Sequence, residues 1–156
     1  MYRFLMAQLA VAPLLIAAAY ADEAQDPTPI PFEVVTDIRQ TMEYILEPAA
    51  EVIWDSAGAV ISEAGEQDLS PETDEGWTKV LNASALLAEG GNLMMIPGRS
   101  AGPDWNQHAK RMTAAAKQAI DAAVAQDADA LFDAGGEIYQ ACLACHMQYW
   151  PDSRQN

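Results

Sequence analysis

Five residues near one end of the chain, Cys142-Leu143-Ala144-Cys145-His146, gather both cysteines of the 156-residue sequence and one of its two histidines. On a helix each residue advances about 100°, so Cys145 lies about 60° to one side of Cys142 and His146 about 40° to the other. Two thiols and an imidazole sharing one helical face can hold a flat macrocycle by its edge. The sulfurs would bond two vinyl groups and the imidazole would reach a central iron. Cys-x-x-Cys-His is the attachment signature of c-type haem. Other chemistries suit the cluster less well. Thioredoxin-like redox pairs accompany a βαβ pattern, and this sequence shows no convincing strand alternation. Zinc wants four ligands, and beyond the cluster only His108 and carboxylates remain, with no second cysteine pair. A disulfide between residues three apart closes too small a loop to restrict the unfolded chain appreciably. The expected cofactor is therefore one covalent haem c per chain, carried by Cys142 and Cys145 with its iron on His146.

The first residues bear on where such a group would be attached. MYRFLMAQLAVAPLLIAAAYA (1–21) has an early cation, Arg3, then an apolar run, then the small-x-small triplet Ala19-Tyr20-Ala21. That is the layout of a cleaved secretory signal peptide. The run is short for a bilayer span and no second one follows, although an uncleaved anchor is the competing reading. Asp22 should then begin a protein exported to a bacterial periplasm, with no membrane span after signal removal. Residues 22–31, DEAQDPTPIP, are polar and proline-broken and read as an extended leader. The remainder, 32–156, is enough for one domain with a real core and too little for two. The net charge of −15 argues against nucleic acid and anionic membrane surfaces, and suits docking to a basic patch on a partner protein.

Four helical segments must position the cluster. In the first, about 32–62, Val35, Ile38, Met42, Ile45, Ala49, Val52 and Val60 form one apolar stripe. Pro48 predicts a kink near Leu46 or two abutting helices. The second should begin with Ser70 as N-cap and Pro71 in the first turn, and stop at Pro97-Gly98. Trp77, Val80, Leu81, Leu87 and Met94 make its apolar side, and Gly90-Gly91 predicts a weak point. The third, from Pro103, turns Trp105, Met112, Ala115, Ala119 and Ala122 inward, and its alanines imply a close helix approach. The fourth, about 127–149, carries Leu131, Ile138, Ala141, Cys142 and Cys145 on related faces. Gly135-Gly136 in its middle predicts something bulky against the bare backbone. Mostly short loops between these segments point to an all-α, antiparallel four-helix bundle.

A haem-attachment motif near the end of the last of four helices resembles cytochrome c′ and its low-spin relatives of the cytochrome c-556 type. The resemblance covers residues 32–156 in architecture, and the motif is its specific part. It implies thioether sites at Cys142 and Cys145 and a proximal iron ligand at His146. In that family the first helix supplies an arginine near the haem propionates and, a turn later, the distal residue. In IRQTMEYIL (38–46) the matching residues are Arg39 and Met42. Here they stand three apart, where the family usually shows four. The basic residue that commonly follows the family's haem histidine is missing from MQYWPDSR, and the long second segment ending LMMIPGR is unusual. Homodimers are common in the family.

A distal methionine sulfur would fill the sixth position and suit an electron carrier, whereas an apolar distal face would admit small gases. Met42 is the first candidate, Met94 or Met95 the next, and His108 would give bis-imidazole ligation. Met147 directly follows the proximal histidine and cannot reach the other face. Arg99 is a second choice as propionate partner. The tryptophans suit core or haem-edge packing. The expected function is single-electron transfer by a periplasmic mono-haem cytochrome, exchanging with another redox protein. The alternatives are a five-coordinate protein binding nitric oxide or carbon monoxide, and a structural subunit with a passive haem. No nucleophile–base pair or paired carboxylates suggest an enzyme.

Overall fold

The computed structural model describes residues 32–150; the expected signal peptide (1–21) and leader (22–31) lie outside these residues. The helical chain starts at Ile38, later than the apolar stripe suggested, because Asp37 can cap it. The Asp37 carboxylate accepts the Gln40 backbone N–H at 2.8 Å and the Gln40 side chain accepts the Asp37 N–H at 3.1 Å. That reciprocal pairing satisfies two donors a helix start otherwise leaves open. Val35, placed before the cap, is exposed. From there α1 (Ile38–Thr41), a π-helical turn (Met42–Leu46) and α2 (Glu47–Trp54) run on without a break. Pro48 has no N–H to give and clashes with a tight turn before it. The wider π turn directly upstream absorbs that misfit, and it lies where the kink or helix junction was expected, ending at Leu46.

The stripe was over-extended at its far end as well. After Trp54 the chain leaves the helix and forms β1 (Ala59–Ser62) and β2 (Gly65–Asp68), paired antiparallel from Ala59 opposite Asp68 to Ser62 opposite Gly65. Val60 is thus an exposed strand residue, and the whole hairpin faces solvent. Gly58 and Gly65 take positive φ at its base and turn, +80° and +122°.

α3 (Asp74–Met95) begins three residues beyond the expected Pro71. Ser70-Pro71 has the composition of a cap, but Thr73 is the residue whose hydroxyl accepts the Gly76 N–H, at 3.1 Å. The helix does not break at Gly90-Gly91. A Cβ at Gly90 would collide with Leu46, and one at Gly91 with Thr113 and the Ala109 carbonyl. The glycines there let neighbouring elements press against α3.

α4 (Pro103–Ala125) starts where expected and buries Trp105, Ala109, Met112, Ala115, Ala116, Ala119, Ala122 and Ala123. Gln126 closes it in the left-handed conformation, φ 53°. The next residue, Asp127, caps α5 (Ala128–Tyr149) by accepting the Ala130 N–H at 3.0 Å. So short a link makes α4 and α5 packing neighbours; α3 packs along α4, and α2 touches both α3 and α5. The Trp105 indole N–H donates to the Met94 carbonyl at 2.9 Å, fastening the start of α4 to the end of α3.

The described chain is thus all-α apart from one small hairpin. Its core joins Leu46, Ile53, Val80, Leu87, Leu131 and Ile138 to a bed of alanines. Each of the larger side chains contributes about 1.5–3 kcal/mol by leaving water. Among the described residues no helix is long and apolar enough to cross a membrane.

Candidate functional site

Where α5 ends, its inward face meets the first helical stretch and the adjoining ends of α3 and α4 around a cavity of about 650 Å³. Pockets for sizeable organic ligands span roughly 300–1,000 Å³, and this space falls within that range. Its lining is mainly apolar, and Ala50, Ala109 and Ala141 present only methyl groups to it.

Cys142, Cys145 and His146 all line this cavity, as one helical turn of α5 requires. Cys145 is buried and Cys142 partly so. Burial pushes both thiols upward, Cys145 to about 11 with a further push from the neighbouring Cys142. His146 is half-buried, and its ring stands edge-on to Trp150, centroids 5.6 Å apart and planes 75° apart. The Trp150 backbone N–H donates to the His146 carbonyl at 2.8 Å and finishes the helix.

Met42 and Arg39 reach the same cavity from a different element, separated from the cysteines by about a hundred residues of chain. Met42 is the first residue of the π turn and half-buried. Arg39 stands at the exposed rim, its Nε 2.6 Å from Glu43 Oε1. That carboxylate raises the arginine pKa further, first by hydrogen bonding and then by charge.

The other candidates separate clearly. Met94 lines the cavity and Met95 does not. His108 lines it too, with its Nε2 2.8 Å from Gln148 Oε1. Arg99 lies elsewhere: its guanidinium donates to the Thr36 carbonyl at 3.0 and 3.2 Å, to the Thr36 hydroxyl at 2.8 Å and to the Leu93 carbonyl at 3.2 Å. It ties the entry of α1 to the end of α3. Trp54 does touch the cavity and also answers for half of the Gly135-Gly136 pair. Its indole N–H donates to the Gly135 carbonyl at 3.0 Å, while nothing approaches Gly136. Trp77 is core only.

Met112 and Tyr149 were not singled out as site residues, yet both are on the wall. Met112 follows His108 by four positions, one turn along the same face of α4, a periodicity visible in the sequence. A second hollow of about 360 Å³, on α4 and α5, holds Arg111 and Glu137 and none of the candidates. Among the described residues no three or more His, Cys, Asp and Glu side chains are grouped as a metal cage. Comparisons with family models, with curated proteins and with solved structures found no match to the chain.

Proposed function

We propose that the protein is an exported mono-haem c-type cytochrome, built as an antiparallel four-helix bundle and working in single-electron transfer. The observation that carries this reading is convergence. A thioether-competent cysteine pair and an imidazole on α5 share one largely apolar cavity with a methionine from the first helical stretch.

The donor set fits haem c. Cys142 and Cys145 would hold the edge of the ring, His146 would offer an imidazole nitrogen to the iron from α5, and Met42 would offer a thioether sulfur from the first helical stretch. When bound, haem iron cycles between ferric and ferrous states and so carries one electron. The residues contribute the rest. Trp150 against the His146 ring limits its rotation. Leu46, Leu87 and Met112 give the cavity an apolar wall, and an apolar surround with a thioether ligand would raise a haem potential. Arg39, at the rim, is the proposed partner for a propionate, in exchange with Glu43. The acidic surface suits a redox partner with a basic docking patch. Export to the periplasm rests on the sequence of residues 1–21.

A second reading, binding of nitric oxide or carbon monoxide at five-coordinate iron, draws on Leu46 and Ile38. They line the cavity from the same stretch as Met42 and offer apolar alternatives beside it. Absorption spectra of oxidised and reduced protein separate the two. Electron transfer with Met42 ligation predicts a low-spin ferric haem with a methionine-to-iron band at long wavelength. Met42→Ala should abolish that band and give a high-spin spectrum responsive to carbon monoxide. An unchanged spectrum in the variant removes Met42 from the site, and a high-spin wild type favours gas binding.

A further inference from the structure

Packing inside the protein accounts for Gly135 and leaves Gly136 unexplained. The Trp54 side chain stands against Gly135, but among the described residues nothing lies within 4 Å of where a Gly136 Cβ would be. A glycine in mid-helix costs about 0.5–1 kcal/mol against alanine, so an open one points to something outside that needs the room. Its neighbours on the surface of α5 are apolar. At about 100° per residue, Phe132, Gly136, Tyr139, Leu143 and Met147 fall within an arc of about 80°. Phe132, Tyr139 and Met147 are 60%, 54% and 51% exposed, and Leu143 is half-buried. Cys142 and His146 adjoin this stripe on its cavity side. Trp54, on the cavity wall, meets the Tyr139 ring edge-on, 6.5 Å between centroids and 68° between planes. One pair of rings thus joins the cavity to the exposed stripe.

Charge around the stripe has one sign. Asp129 and Asp133 border its outer margin, Glu43 and Glu47 stand across the cavity, and all four are exposed. α5 carries no lysine or arginine, and the first helical stretch carries only Arg39, which is paired with Glu43. An apolar strip between carboxylates selects a partner whose own apolar patch is ringed by lysines, whereas a second copy of this chain would bring like charge. We infer that the Phe132–Met147 face of α5 is the docking surface for a basic redox protein, with Gly136 admitting close approach of the partner. The inference rests on the haem reading above and adds the face that the partner meets. Docking there brings the partner's redox centre beside the cavity, and the one electron lost by either centre is gained by the other.

The test titrates oxidised mitochondrial cytochrome c, a small redox protein with lysines around its haem edge, into isotope-labelled, haem-loaded protein. Amide NMR shifts at low salt should change over Phe132–Met147 and Glu43–Trp54, and the changes should shrink as salt is raised. Gly136→Lys has open space for its side chain and should weaken binding about tenfold by blocking and repelling the probe. Asp133→Asn should weaken it by a smaller factor. Glu89→Gln, the same change of charge on the exposed side of α3, should leave it unaltered. Shifts mapping to another face, no binding at low salt, undiminished binding by Gly136→Lys, or equal weakening by Asp133→Asn and Glu89→Gln overturn the inference and leave the haem reading standing. So do concentration-dependent shifts of the same α5 signals without the probe, which would make a second copy the occupant. Wild-type protein that carries no haem overturns both readings.

Discussion

At the scale of residues, the chemistry splits into a part that is local in sequence and a part that is not. Cys142, Cys145 and His146 occupy one helical turn, so their common face follows from helix geometry alone. Met42 reaches the same cavity only because α2 packs against α3 and α5. Spacing could nominate it, and folding had to bring it. The surroundings of His108 lay further from reach, since they depend on Gln148 and Tyr149, forty positions along. Burial of the thiols makes a prediction for protein without attached haem. The folded chain holds the Cys145 proton up to about 11, above its value in the unfolded chain. The native state therefore binds more protons, and stability present below the unfolded thiol value is lost as pH rises through 9 toward 11. The loss should be on the order of 2 kcal/mol, read as the difference between urea midpoints at pH 8 and pH 11. A variant with both cysteines replaced by alanine should lose less over that interval, and an equal loss would contradict the burial argument.

Elements with strong end signals were the most legible. Asp127 and the apolar period fix α5, and Gly102-Pro103 fixes the start of α4. The hairpin escaped notice because each strand is four residues long and wholly exposed, so no inside–outside alternation exists to be seen. Val60 instead fits the helical stripe of the first segment by spacing alone. Ser70-Pro71 misled for a related reason, since capping is decided by which hydroxyl meets a free N–H, and Thr73 does. The π turn before Pro48 has no sequence signature beyond the proline. Gly90-Gly91 looked like a weakness and is a contact surface. Gly91→Ala should destabilise by about 1–3 kcal/mol, because its methyl would meet the Ala109 carbonyl, which cannot rotate away. Gly136→Ala, with open space around it, should stabilise by roughly 0.5–1 kcal/mol through helix propensity. Urea denaturation of both variants checks the pair, and equal midpoints would mean that α3 and α4 are not in tight contact at Gly91.

For the whole molecule, the alanine-rich face of α4 and Gly90 and Gly91 of α3 let neighbouring elements approach closely in the core, while Gly135 of α5 receives the Trp54 side chain. The cavity opens where the end of α5 meets the first helical stretch, beside small side chains at Ala50, Ala109 and Ala141. The net charge of −15 suits the basic docking patch proposed above for a redox partner. The proposed covalent attachment would suit such a design, since it would retain a cofactor that a small helical domain would otherwise hold by packing alone. The most direct measurement is the intact mass, under denaturing conditions, of protein recovered from cells able to mature c-type cytochromes. One haem retained on a chain beginning at Asp22 is the expected result. A colourless chain with Cys142 and Cys145 both free, or joined to each other, would contradict it.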